Sequence, residues 1–184
     1  GYLMGIAFVI RFQLWLFALP YSTWQDLIKV DILNCMGLAV GLFSLMAVFP
    51  TRERVRLCGA LGLGIAALSP LMTNLDWSGA PQLLRSYIAP SHESFSFFPW
   101  AAFVAFGMSF GSILRSVPPL HLPRTMQWVA VGGIVLIAIT RWLGELPYSL
   151  YPKADFWLDS PALILIKLGV VMLILSVAYL WTEY

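Results

Sequence analysis

Six long apolar stretches run through this 184-residue chain, and none carries more than one charged residue. They extend roughly over Tyr2–Leu19, Asp31–Phe49, Val55–Met72, Phe98–Leu114, Met126–Leu143 and Pro161–Trp181. Each is about 17–21 residues long, the length at which a helix crosses ~30 Å of hydrocarbon. A water-soluble domain of this size has no use for six such segments. The expected fold is all-α, a polytopic membrane helix bundle of about six transmembrane helices in one domain over residues 1–184. The lipid bilayer is its first partner, and its chemistry must be sought at the polar residues between and inside the spans.

Composition supports this. The chain is 60% hydrophobic and 11% charged, too few charges for an ordinary aqueous surface. A net charge of +2 gives no basis for nucleic-acid binding. The chain opens at Gly1 inside an apolar run, so a longer protein with further helices upstream is expected. The first stretch lacks the basic n-region and small-residue cleavage site of a signal peptide. Cys35 and Cys58 open successive spans that run in opposite directions, so they should lie near opposite membrane faces as buried, unpaired thiols.

Loop charges set the expected orientation. Arg52, Arg54 and Arg56 lie in or at the edge of the loop between the second and third spans, and Arg115 and Arg124 in that between the fourth and fifth. The opposite side holds Lys29, Arg85 and Lys153, with Arg141 near the end of the fifth span. The denser side is assigned to the cytoplasm. Both chain ends then face the cytoplasm, and a bacterial inner membrane is the expected location. The longer outer loops include the polar segment Asn74–Phe97 with His92, and one in which Tyr148, Tyr151, Phe156 and Trp157 alternate with Asp155 and Asp159. Such aromatics form an interfacial belt, and a long outer loop can also cover a cavity. Glycines at 37 and 41, 107 and 111, 62 and 64, and 132 and 133 let helices approach closely.

Few polar residues stand inside the spans. Arg11 lies mid-way along the first and is a functional candidate by default. If that span begins before Gly1, Arg11 instead marks its outer end. Lys167 lies six residues after Pro161, about 9 Å below the outer end of the last span. It either snorkels to the headgroups or turns inward to a carboxylate, and Asp31, which opens the second span on the same side, matches it in depth. Asp31 as a simple N-terminal cap is the other reading. His92, beside Glu93, is a candidate general base, although a solvated loop histidine is the commoner case. His92 and His121 fall on opposite sides, and no His, Cys, Asp or Glu cluster has metal-ligand spacing.

Residues 29–38, Lys-Val-Asp-Ile-Leu-Asn-Cys-Met-Gly-Leu, and Phe98-Pro99-Trp100 followed by Gly107 and Gly111 carry a family resemblance. In their order and spacing they resemble the membrane acyltransferases related to heparan-α-glucosaminide N-acetyltransferase, especially the bacterial ones. The resemblance covers about Trp24 to Arg115, and the later helices match only in hydropathy. Asn34 stands where a Gln is common, and Cys35 where the animal enzymes carry Arg. The family's catalytic His lies in an outer loop upstream of this chain, and His92 does not match it.

The resemblance implies acyl transfer across the membrane. Acyl-CoA (acetyl-CoA), a co-substrate and not a resident cofactor, would supply the group from the cytoplasmic side, and a glycan or amino-sugar acceptor would receive it outside. Asp31, Asn34, Trp100, Lys167 and Arg11 are the candidate substrate-binding residues, at or near outer helix ends. Arg52, Arg54 and Arg56 are placed to attract CoA phosphates, or serve only as topology signals. A small-molecule transporter and a non-enzymatic scaffold are the competing classes. The first would call for inverted repeats or several deep charges, and neither a repeat nor more than Arg11 and Lys167 is visible. Self-association into a homo-oligomer is left open.

The orientation is directly testable. Cysteines introduced at Ser94 and Thr51 should react differently with a membrane-impermeant maleimide in intact cells, with position 94 labelled and position 51 protected. Labelling at 51 but not at 94 would reverse the assignment.

Overall fold

The computed structural model describes residues 2–24, 30–89, 95–145 and 160–183. The described residues are helical and contain no strand. In chain order the helices are α1 (Tyr2–Phe17), α2 (Ile32–Ser44), α3 (Thr51–Asn74), α4 (Gln82–Ile88), α5 (Phe97–Ser116), α6 (Leu122–Gly144) and α7 (Pro161–Glu183). A 3₁₀ turn, Leu45–Val48, extends α2, and another, Pro119–His121, leads into α6. This is the expected all-α membrane bundle, because only a helix satisfies its backbone groups within one lipid-embedded segment.

Among the described residues four helices are long and apolar enough to cross a membrane: α3, α5, α7 and the continuous Pro119–Gly144. The first two apolar stretches give shorter helices, Tyr2–Phe17 and Ile32–Val48. The 16 residues of α1 rise about 24 Å, short of a full hydrocarbon core. In α2 the α-helix yields at Ser44, whose Oγ donates to Gly41 O at 2.6 Å, and the chain tightens into 3₁₀ before Pro50.

Prolines set the helix starts. Pro50 occupies the N-cap of α3 and Pro161 opens α7, positions where a missing N–H is harmless. In α5, Phe98 is extended (φ −90°, ψ 127°), as a residue before proline prefers, so regular helix starts at Pro99. Arg52, Arg54 and Arg56, expected in or beside a loop, lie in the first two turns of α3. Cations are disfavoured at a helix N-terminus, so their presence there answers a demand other than helix stability.

Helix α5 occupies the centre. Ala101, Ala102 and Ala105 are fully buried and present a smooth face to Ala39 and Phe43 of α2 and to Ile65 and Ala66 of α3. Two antiparallel pairs carry the most extensive packing, α3 with α5 and α6 with α7, while α1 packs on α2 and α2 runs along α5. The antiparallel sense shows in the cross-helix hydrogen bonds. Ser109 Oγ, late in α5, donates to Val55 O at 2.9 Å, and Ser176 Oγ, late in α7, reaches Met126 O at 3.2 Å. Arg52, Arg54, Arg56, Arg115 and Arg124 therefore share one end of the bundle. Large apolar side chains such as Trp128, Ile134, Ile174 and Val177 point outward, as a lipid-facing surface requires.

The expected small-residue contacts divide. A Cβ at Gly133 would lie 2.8 Å from Gly169 O, and one at Gly169 would lie 2.8 Å from Gly133 O, so the two backbones touch where α6 crosses α7. Gly62 of α3 likewise admits the ring of Phe106. Gly41, Gly64, Gly107 and Gly111 have nothing within 4 Å of such a Cβ. The Gly107/Gly111 spacing thus marks no interface within the described bundle.

The α6–α7 crossing can be tested by volume. Gly133→Val should destabilise the detergent-solubilised protein by about 1–3 kcal/mol, because its neighbour is backbone and cannot retreat. Gly132→Ala should be near neutral, since the added methyl meets only the mobile Met172 Cε at 3.4 Å. Equal melting temperatures for the two variants would contradict the backbone contact.

Candidate functional site

The polar residues singled out from the sequence gather near the end of the bundle where α2, α5 and α7 begin. Asp31 takes the N-cap position of α2, but its side chain makes no capping hydrogen bond. It forms an ion pair with Arg11 of α1 instead. The Arg11 side chain is 14% exposed and that of Asp31 38%, so the pair is largely removed from solvent on the arginine side. Arg11 Nε is buried with no partner among the described residues.

This corrects the expected pairing of Asp31 with Lys167. Depth alone matched Lys167 to Asp31, but α1 packs directly on α2 and brings Arg11 to the same level. The Arg11 fork reaches a carboxylate at the helix start, and Asp31 is thereby engaged. Lys167 meets Trp100 instead, with its Nζ 4.7 Å from the ring centroid. That contact is a cation–π interaction, and among the described residues the ammonium N–H donors have no other partner. Among the described residues no carboxylate pairs with Lys167.

Asn34, one turn into α2, is 3% exposed, and its Oδ1 has no hydrogen-bond partner among the described residues. A buried amide oxygen left unpaired costs roughly 1–3 kcal/mol, so its retention calls for an explanation. At 100° per residue Asn34 falls between Asp31, which meets Arg11, and Gly37, which packs on Met4, so it faces α1. Ile32 and Met36 lie on the other flank of α2 and line a groove with Trp100 and Lys167. The five candidates therefore share one end of the bundle but form two subsites, Arg11–Asp31–Asn34 on the α1 side of α2 and Trp100–Lys167 on its α5–α7 side.

The groove has a volume of about 660 Å³ and is open to one side. Ring contacts build its upper rim, with Trp100 5.3 Å from Phe95 and 6.0 Å from Phe103 between centroids. Sequence reasoning missed this groove. Gly107, Phe110 and Val171 line it, and their apolar character looked like ordinary span composition.

Cys35 and Cys58 are buried and free, as expected. Cys35 Sγ donates to Ser96 O at 3.0 Å, tying the start of α2 to the entry of α5. These two segments carry the family resemblance, and the fold sets them side by side. His92, Glu93, Lys29, Lys153 and the aromatic loop from Tyr148 to Trp157 lie outside the described residues. Among the described residues no group of three His, Cys, Asp or Glu side chains is placed to hold a metal ion. No family model, curated protein or solved structure matches the chain.

The pairing is open to a double-mutant cycle. Asp31→Asn should strand the Arg11 charge and destabilise the solubilised protein, by less than the ~3–5 kcal/mol of a fully buried pair because Asp31 is partly exposed. Arg11→Met should restore part of the loss, whereas Lys167→Met combined with Asp31→Asn should be additive. Coupling to Lys167 in place of Arg11 would reinstate the other pairing.

Proposed function

We propose that this chain is part of an integral membrane acyltransferase that passes an acyl (acetyl) group from acyl-CoA to a glycan or amino-sugar acceptor across the bilayer. The observation that carries this reading is the buried Asn34 with its unpartnered Oδ1, beside the Arg11–Asp31 pair, in the segment that resembles the acyltransferases. An unpaired acceptor atom is suited to receive a hydroxyl or amine N–H of a polar acceptor. The Arg11–Asp31 pair supplies further donor and acceptor capacity beside it. The arginines at the other end of the bundle support a CoA subsite there, because guanidinium groups match phosphate oxygens bidentately. With that end cytoplasmic, donor and acceptor would enter from opposite faces of a bacterial inner membrane. The catalytic base is expected from an upstream segment, as the resemblance implies.

Binding tests this without requiring turnover. Glucosamine should raise the melting temperature of the purified protein, and Asn34→Leu should abolish that response without lowering the ligand-free stability. Acetyl-CoA should stabilise the protein through Arg52, Arg54 and Arg56, and their joint replacement by Gln should remove its effect. Absence of both responses would sink the reading. Acetyl transfer by the chain alone that disappears in His92→Ala would move the catalytic role to His92.

A further inference from the structure

The groove between α5 and α7 lies on the other flank of α2 from Arg11, Asp31 and Asn34, and its construction points to an occupant of its own. We propose that it holds one acyl chain of an anionic phospholipid, with the lipid phosphate on Lys167. The inference stands independently of the acyl-transfer reading.

Dimensions come first. Along α5 the lining runs from Trp100 to Ile113, and along α7 from Ile166 to Leu175. At 1.5 Å per residue these stretches are about 20 Å and 14 Å long. One leaflet of a ~30 Å hydrocarbon core is about 15 Å deep. The α5 wall therefore starts near that helix's entry and is long enough to reach mid-bilayer, the depth of one lipid chain. The groove is partly open, which leaves room for such a chain to enter.

Chemistry comes second. Below the rim the wall is aliphatic and aromatic, with Ser109 as its one hydroxyl, and that hydroxyl is bonded to Val55 O. A polar solute would find nothing to pair with there. At the rim stands a single cation, Lys167, held over Trp100 and without a carboxylate partner among the described residues. An ammonium part-way into the apolar region is costly unless an anion meets it. The cation–π contact positions Nζ and leaves its donors to bind phosphate oxygens, while the indole suits the headgroup level. A cation above a chain-deep apolar slot is complementary to an anion above an acyl chain. A neutral or zwitterionic lipid matches the slot but gains less at the rim.

Gly107 gives an independent handle. It lines the groove, and a Cβ there meets nothing within 4 Å among the described residues, so a larger side chain can project into the slot without a clash at its base.

The experiment is native mass spectrometry of the whole purified chain with dioleoylphosphatidylglycerol or dioleoylphosphatidylcholine. The first phosphatidylglycerol should bind about fivefold more tightly than phosphatidylcholine, because both present a phosphate to Lys167 but the choline cation offsets that charge in the second. Lys167→Gln should bring that ratio close to one, and Lys167→Arg should keep it. Arg141→Gln, which removes a cation at the same end but outside the groove, should leave the ratio unchanged. Gly107→Trp should weaken both lipids, with circular dichroism confirming that the helices persist. A preference that survives Lys167→Gln, binding indifferent to Gly107→Trp, or a second copy of the chain occupying the groove would each overturn the proposal.

Discussion

The close approach of alanine faces at α5 is the contact on which the bundle depends. In lipid there is no hydrophobic gain from burying one apolar helix against another, so association relies on van der Waals fit and cross-helix hydrogen bonds. Ala101, Ala102 and Ala105 provide that fit, because a methyl side chain keeps the helix surface smooth enough for Ala39, Ile65 and Ala66 to seat against it. Ser109 adds a hydrogen bond to Val55 O on the same helix pair. The positions of α2 and α3 follow from this centre.

A second consequence of α5 is the way it apportions chemistry at its own start. Ser96 accepts from Cys35, which seats the beginning of α2 beside α5. That seating turns one flank of α2 toward α1 and the other toward α7. The charged pair and the buried amide then fall on one side, and the apolar groove with its rim lysine on the other. Two environments of different character are thus built from a single helix start, one polar and enclosed and one apolar and open to lipid.

The ion pair and the cation–π contact illustrate how charges are tolerated in such surroundings. Arg11 sits mid-helix, where an unpaired guanidinium would be costly, and Asp31 neutralises it locally. Among the described residues Lys167 has only the face of Trp100, which is weaker compensation. One charge is thus met by a carboxylate and the other, among the described residues, only by an aromatic face.

The apolar runs, their lengths and their bounding prolines were enough to determine an all-α membrane bundle, because the bilayer admits few ways of satisfying a backbone and a span must match its thickness. The residue types of the candidate site were legible for the same reason: Arg11, Asp31 and Lys167 stand out against hydrocarbon. Their partners were not. Depth along a helix can be counted from sequence, but the rotation of each helix and the choice of neighbour cannot, and these decided that Asp31 meets Arg11 while Lys167 meets Trp100. Glycine spacing was equally blind, since Gly133 and Gly169 touch while Gly107 and Gly111 face open space. The α5–α7 groove belongs wholly to the tertiary structure. Its walls are the same apolar residues that fill any span, and only the gap left between two tightly packed helix pairs gives them a shape.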